Sequence, residues 1–175
     1  MQGHRETPRA TLARTLAFTN DYIAIVHERA SMFATVFFAV LDPTTGVLVY
    51  ANAGHDAPML WRYGAAAPER LMPTGAALGL FPGISLGDCE LRLLPGDVLL
   101  AYTDGVIDAT GATGKADTAG AFGEARLLLA ASRRNSDGDT LLAGVTQALD
   151  AHVSGAERQD DITLLALVRK RPVAG

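Results

Sequence analysis

Between Met32 and Thr103 the chain is a run of short apolar segments cut by Gly, Pro and Asp turns, and helical spacing occurs only before and after that block. An order of helix, strand block, two helices and closing strand suits α+β layers with a mainly antiparallel sheet. A doubly wound parallel sheet would need strands and helices to alternate. Thr7-Pro8 is a helix start, since Thr can cap and Pro is tolerated at the first helical position. Leu12, Leu16, Thr19, Ile23 and Val26 then recur at spacings of three and four, predicting one amphipathic helix to about Glu28. Met32 to Leu41 and Val47 to Ala53 flank Asp42-Pro43-Thr44-Thr45-Gly46 and predict an antiparallel hairpin. Further strands are expected at Met59 to Tyr63, near Leu71, at Cys89 to Leu94, at Val98 to Thr103 and at Ile162 to Val168, with helices at Glu124 to Arg134 and Thr140 to Val153. Thr110 to Gly120, rich in Gly, Ala and Thr, reads as a mobile surface loop.

At 175 residues, 49% of them hydrophobic and 19% charged, the chain is long and apolar enough for one packed domain. A net charge of -4 and the lack of a basic stripe argue against nucleic acid as a partner. The one cysteine, Cys89, excludes an internal disulfide and a cysteine-rich zinc site, and its alternating segment reads as placing a small thiol toward the core. No apolar run is long enough to span a bilayer. The opening residues lack the layout of a signal peptide, so the expected location is cytoplasmic.

Acidic residues stand at two strand ends, Asp104 of Thr103-Asp104-Gly105 after one buried strand and Asp160-Asp161 before another. Carboxylates at adjacent strand ends can converge on one point, and hard divalent cations prefer oxygen ligands. Gly105 would let the backbone turn sharply beside an ion. The same residues also fit an ordinary turn and a solvated loop end. For Trp61 and Tyr63, sheet packing is favoured over a ligand platform.

Several segments, in order, resemble the stage II sporulation protein E-type phosphatases. They are Met32 to Asp42, Tyr50-Ala51-Asn52-Ala53-Gly54-His55-Asp56-Ala57-Pro58, Leu78-Gly79, Leu94 to Val106 with its Pro-Gly-Asp and Tyr-Thr-Asp-Gly, Phe122 to Leu127, and Asp160-Asp161-Ile162-Thr163-Leu164. The resemblance implies a partial α-β-β-α sandwich of the protein phosphatase 2C kind, with mainly antiparallel sheets. It also implies Mn2+ or Mg2+, binuclear in the complete domain. Asp104 and Asp160 match metal ligands, and Asp161 is a neighbouring ligand or supporting residue. Gly54 and His55 fall at the rim of such a site; the competing reading is that His55 stabilises its own turn through Asn52.

The family's other ligand segments, Gly-Asp-x-x-Asp and Asp-Val-x-Gly-Lys-Gly, have no counterpart before Met32, where the acids are Glu6, Asp21 and Glu28. The chain therefore reads as a single, N-terminally incomplete domain: a helix in 1–30, strands in 31–109, a loop in 110–121, then two helices and a closing strand in 122–175. The resemblance implies a phosphatase acting on phosphoserine or phosphothreonine in a regulatory protein such as an anti-sigma-factor antagonist. This chain by itself is expected to be weakly active. The alternative is a non-catalytic interaction or dimerisation module built on the same fold. Apolar surface left uncovered beside missing elements leads to an expectation of self-association, as a homodimer.

Overall fold

The computed structural model describes residues 6–26, 32–111, 120–132, 137–153 and 160–172. By its internal contacts the chain divides into two compact units interleaved in sequence. One comprises Met1–Ala57 and Leu71–Leu93, the other Pro58–Arg70 and Leu94–Gly175. Among the described residues no helix is long and apolar enough to cross a membrane.

The first unit is one helix on a three-stranded antiparallel sheet. Helix α1 (Pro8–Val26) begins where Thr7 Oγ1 accepts the Ala10 N–H (3.3 Å) and the Thr7 carbonyl accepts that of Thr11 (3.0 Å). Strands β1 (Val36–Leu41), β2 (Val47–Ala53) and β5 (Cys89–Arg92) lie in the order β1-β2-β5. The predicted hairpin forms in the register Val36↔Ala53 to Leu41↔Leu48. Its turn is tied by Asp42, whose carboxylate accepts the Thr44 N–H (2.9 Å) and the Thr45 hydroxyl (2.8 Å). Leu12 and Leu16 pack on Val49, Ala51 and Ala53, which share one face of β2 because side chains alternate along a strand.

The buried stripe of α1 departs from the predicted spacing. It runs Leu12, Leu16, Asn20 and Ala24, while Val26 is exposed. Asn20 holds its buried place because its amide is fully engaged: Oδ1 accepts the Gly79 N–H (2.9 Å) and Nδ2 donates to the Phe81 carbonyl (3.1 Å). Phe18, Tyr22 and Ile25 are exposed on α1. Cys89 also departs from expectation, being exposed rather than core-facing. It lies on the edge strand β5 opposite Tyr50, where sheet pairing covers only one side. Burial first, and the Cys89 contact second, push the Tyr50 hydroxyl up to about 12.

The second unit is a four-stranded antiparallel sheet in the order β4-β3-β6-β7, from β3 (Met59–Trp61), β4 (Glu69–Arg70), β6 (Val98–Tyr102) and β7 (Leu164–Val168). Val98, Leu100 and Tyr102 project from one face of β6 into a core with Leu127 and Ala131 of α3 (Gly123–Ala131) and Leu141, Val145, Leu149 and Val153 of α4 (Gly138–Val153). Those α4 positions recur every four residues, the spacing of one helical face. Asp137 starts α4, accepting the Thr140 N–H (3.0 Å) and hydroxyl (2.6 Å). Arg133 and Arg134, at the end of the helix expected over Glu124 to Arg134, and the central 112–119 of the expected mobile loop lie outside the described residues. The ends of that loop meet where Thr110 bridges Ala121.

Asp97 joins these strands at one end and is only 1% exposed. Its Oδ2 accepts from Arg62 Nη1 and the Leu94 N–H, and its Oδ1 from the Tyr63 N–H, all at 2.9 Å. Tyr63 leaves the sheet at this point and is exposed, with the Arg171 guanidinium 4.6 Å from its ring centroid, so of the two aromatics only Trp61 packs in the core.

Asp97→Ala strands the Tyr63 and Leu94 amides and removes one of the two carboxylates on Arg62. It should cost about 3 kcal/mol in urea unfolding; a loss under 1 kcal/mol would contradict this account. A second expectation concerns acid. Thr140, and for Asp42 Thr45, hold the Asp137 and Asp42 carboxyls below the ordinary aspartate value. Depressed folded values mean that the stabilisation is present above the unfolded pKa and lost as pH falls through the folded one. Asp137→Ala should therefore destabilise at pH 7 and converge with the parent as the pH falls through the lowered folded pKa of Asp137.

Candidate active site

The far end of β6 carries Asp104. Thr103 is still extended (φ -84°, ψ 156°), and the chain then curls into a short helix, α2 (Asp104–Ile107), that the sequence reading did not anticipate. The Thr103 carbonyl turns into this helix to accept the Val106 N–H (2.9 Å), and that of Asp104 accepts the Asp108 N–H (2.9 Å). On the neighbouring chain, Asp160 to Thr163 leads into β7. The Thr103 N–H donates to the Thr163 carbonyl (3.1 Å), one step beyond the paired residues Tyr102 and Leu164.

Gly105 is buried against this segment. A Cβ there would lie 2.5 Å from the Asp161 carbonyl oxygen and 3.4 Å from the Asp160 Cβ. The reason for glycine is thus the approach of a second backbone, not the sharp turn expected from Asp-Gly. Asp104, Asp160 and Asp161, carried by these two backbones, are all exposed. Asp104 Oδ1 accepts the Gly105 N–H (2.9 Å) and Asp160 Oδ1 the Asp161 N–H (2.7 Å), so local bonds restrict both carboxylates.

The donor chemistry, carboxylate oxygen throughout, fits a hard divalent cation, and the absence of a Cβ at residue 105 leaves the two segments room to meet. The number of donors is smaller than an ion's usual shell. Among the described residues no three His, Cys, Asp or Glu side chains gather as a metal-binding group.

Gly54 and His55 belong to the first unit. Gly54 has φ +68°, a conformation that disfavours a side chain, and a Cβ there would sit 3.2 Å from the Ala77 backbone nitrogen. Asn52, fully buried, organises the turn: its Oδ1 accepts the His55 N–H (2.8 Å) and its Nδ2 donates to the Leu71 carbonyl (3.0 Å). Thr35 Oγ1 is 3.4 Å from His55 Nδ1. These bonds anchor the His55 backbone through Asn52 and leave its half-buried ring beside Thr35.

The sequence reading passed over Thr103. Its hydroxyl accepts the Thr163 N–H (3.0 Å) and donates to the Asp161 carbonyl (3.0 Å). The available signal was a hydroxyl residue directly before Asp-Gly at a strand end, which reads first as a helix cap. Here Thr103 stands at the N-cap of α2 but makes no side-chain cap bond.

The antiparallel sheets and their helices match solved phosphatase domains. One match is the structure of the RsbU and RsbW domains of Rv1364c from Mycobacterium tuberculosis, with TM-score 0.64 and 26% identity over 98% of this chain and 44% of that one. Another is the catalytic domain of the serine/threonine protein phosphatase PstP in complex with two manganese ions, with TM-score 0.62 over 94% of this chain and 73% of that one. At 13% identity the latter match shows the fold alone. The fold is that of the protein phosphatase 2C-type domains. The family model for stage II sporulation protein E matches residues 4–170, and the chain belongs to that family. Among relatives, it is 38% identical over 151 residues to protein IcfG of Synechocystis sp., which is 86% of this chain and 23% of that protein. It is 31% identical over 93 residues to the phosphoserine phosphatase RsbP of Bacillus subtilis, 53% of this chain and 21% of that protein. The chain thus spans less than a quarter of the length of either relative.

The packing at Gly105 yields its own prediction. Gly105→Ala forces the 160–161 backbone away and should cost about 1–3 kcal/mol. An unfolding midpoint equal to that of the parent would show that the two segments are not in the contact described.

Proposed function

We propose that the domain to which this chain belongs hydrolyses phosphoserine or phosphothreonine on a regulatory phosphoprotein, with Mn2+ or Mg2+ held in part by Asp104 and Asp160 and with Asp161 beside them. The observation that carries this reading is the seating of Gly105 against the Asp161 carbonyl, which brings two acidic strand ends together in a member of a phosphatase family. The similarity to RsbP, a phosphoserine phosphatase, supports the substrate class, and the two manganese ions of PstP support the choice of ion. An anti-sigma-factor antagonist is the kind of phosphoprotein that the family resemblance proposes.

The roles of the residues follow from charge. A phosphomonoester is anionic, and exposed carboxylates alone repel it. Asp104 and Asp160 thus serve as oxygen donors to cations, and Gly105 keeps the gap between their segments free of a side chain. A bound divalent ion would supply charge neutralisation at the phosphoryl oxygens and a more acidic water. Gly54 and His55 are proposed as rim residues, with Asn52 fixing the backbone that presents them. None of these side chains need act as a covalent nucleophile.

A second reading, a non-catalytic interaction module, draws on the shortage of converging ligands among the described residues. The two readings separate on one assay, hydrolysis of a phosphoserine protein with and without Mn2+. Little turnover is expected from this chain alone. Turnover is expected from a domain that also carries the Gly-Asp-x-x-Asp and Asp-Val-x-Gly-Lys-Gly segments on its N-terminal side. In that domain Asp104→Asn should lower kcat/KM by about a hundredfold or more, equivalent to roughly 3 kcal/mol of transition-state stabilisation. An active Asp104→Asn variant would remove Asp104 from the machinery, and an inert complete domain would favour the interaction module.

A further inference from the structure

We infer that Thr103 is a positioning residue whose hydroxyl latches the two acidic segments together and so sets the affinity of the site for its divalent ion. The inference rests on the metal reading of Asp104 and Asp160 proposed above. It begins with a gap in the sheet. Between β6 and β7 the antiparallel ladder runs from Val98↔Val168 to Tyr102↔Leu164. The next residue, Thr103, still gives its N–H to the Thr163 carbonyl (3.1 Å). The reciprocal bond would need the Thr103 carbonyl, but that group accepts the Val106 N–H at the start of α2. The Thr163 N–H is therefore left without its ladder acceptor at the step where the chain bends to present Asp104.

The Thr103 side chain fills that place. Oγ1 accepts the Thr163 N–H at 3.0 Å and donates its O–H to the Asp161 carbonyl, also at 3.0 Å. One hydroxyl thus acts as acceptor and donor at once, using both halves of its bonding capacity. The same Asp161 carbonyl is the atom against which Gly105 packs. It is fixed from two directions, by a bond from residue 103 and by the contact of residue 105, and Asp104 lies between those two residues. The spacing from Asp104 to Asp160 and Asp161 is thereby set by a latch that touches no carboxylate. Thr103 is at the N-cap of α2 with no side-chain cap bond, so its hydroxyl is committed to the neighbouring segment and not to its own helix.

A side chain here must be short, must carry a hydroxyl, and must both donate and accept. Serine meets that requirement; valine, close to threonine in shape, meets none of its polar part. Supporting residues behind metal ligands commonly change ion affinity by about 10–100-fold. Thr103→Val is therefore expected to weaken Mn2+ binding about tenfold, and Thr103→Ser to stay within about twofold of the parent.

The test is a Mn2+ titration of the isotope-labelled full chain, read as paramagnetic broadening of the backbone amide signals of Gly105, Val106, Ile162 and Thr163. It is made at a temperature where each variant is fully folded by circular dichroism. Amide hydrogen exchange at Thr163 supplies a second readout that requires no metal. It should accelerate at least about tenfold in Thr103→Val and remain near the parent rate in Thr103→Ser. If Thr103→Val does not fold, Thr103→Cys takes its place, because a thiol is a weaker partner of similar size; its affinity should fall between those of parent and valine. Equal Mn2+ affinity in the parent and in the variant lacking the hydroxyl overturns the latch while leaving the metal reading intact. Absence of Mn2+ broadening near residues 105 and 161 in the parent shows that this chain by itself holds no ion there and overturns the claimed effect of Thr103 on its affinity.

Discussion

Asp97 is the point on which the four-stranded sheet depends. A carboxylate that is 1% exposed carries a desolvation cost of several kcal/mol unless its oxygens are bonded, and here two backbone amides and one guanidinium do so. Those donors come from two parts of the sheet. Arg62 and Tyr63 follow β3, Leu94 precedes the turn into β6, and the backbone of Gly96-Asp97 exchanges bonds with Arg169 beyond β7. The Asp97 side chain thereby ties the end of β3 to the start of β6, and the adjoining backbone ties β6 to β7. Arg62 extends the network to β4, since Glu69 and then Asp97 hold its guanidinium above the ordinary arginine value against the opposing effect of burial.

Strand β6 therefore has an aspartate near each end with opposite circumstances. Asp97 is buried and saturated with donors, which makes it structural and leaves it nothing to offer a ligand. Asp104 is exposed, with one short bond to the amide of the next residue. Keeping that carboxylate in water avoids the penalty that Asp97 must offset, and it leaves oxygen available to a cation. The strand between them, with Val98, Leu100 and Tyr102 in the core, is the rigid element that transfers the order of one end to the other. Placing a binding group at the end of a central strand gives it a precise position without burying it.

The helix-covered first unit uses polar residues in another way. Asn20 and Asn52 are both fully buried; Asn20 bonds backbone groups of a loop some sixty residues on, and Asn52 bonds the Leu71 carbonyl and the nearby His55 amide. A buried amide with both ends bonded costs little and specifies one loop conformation, whereas an apolar residue of the same volume would leave the loop carbonyls and amides unpaired. Through Asn52 this device reaches the Gly54-His55 turn. The same reasoning explains why α1 tolerates Asn20 in its buried stripe.

Much of this was legible along the chain. Alternation and helical spacing located ten of the eleven elements among the described residues, because periods of two and near four are local properties of a backbone with one face buried. The hairpin turn at Asp42, the start of α1 at Thr7-Pro8 and the acidic residues at the strand ends were likewise written in short stretches, where the chemistry of a few neighbours decides. Local pattern could not show which face of an edge strand stays open, so Cys89 was misplaced. Nor could it show where a strand yields to a competing bond, so Tyr63 was assigned to the sheet that it leaves. The unanticipated helix α2, the reason for glycine at 105 and the two-way bond of Thr103 depend on residues 160–163, nearly sixty positions away. Sequence determined which strand ends carry carboxylates. Only tertiary structure decided that two of those segments meet, because that meeting is made by a carbonyl, an amide and a missing Cβ, groups whose partners no residue name encodes.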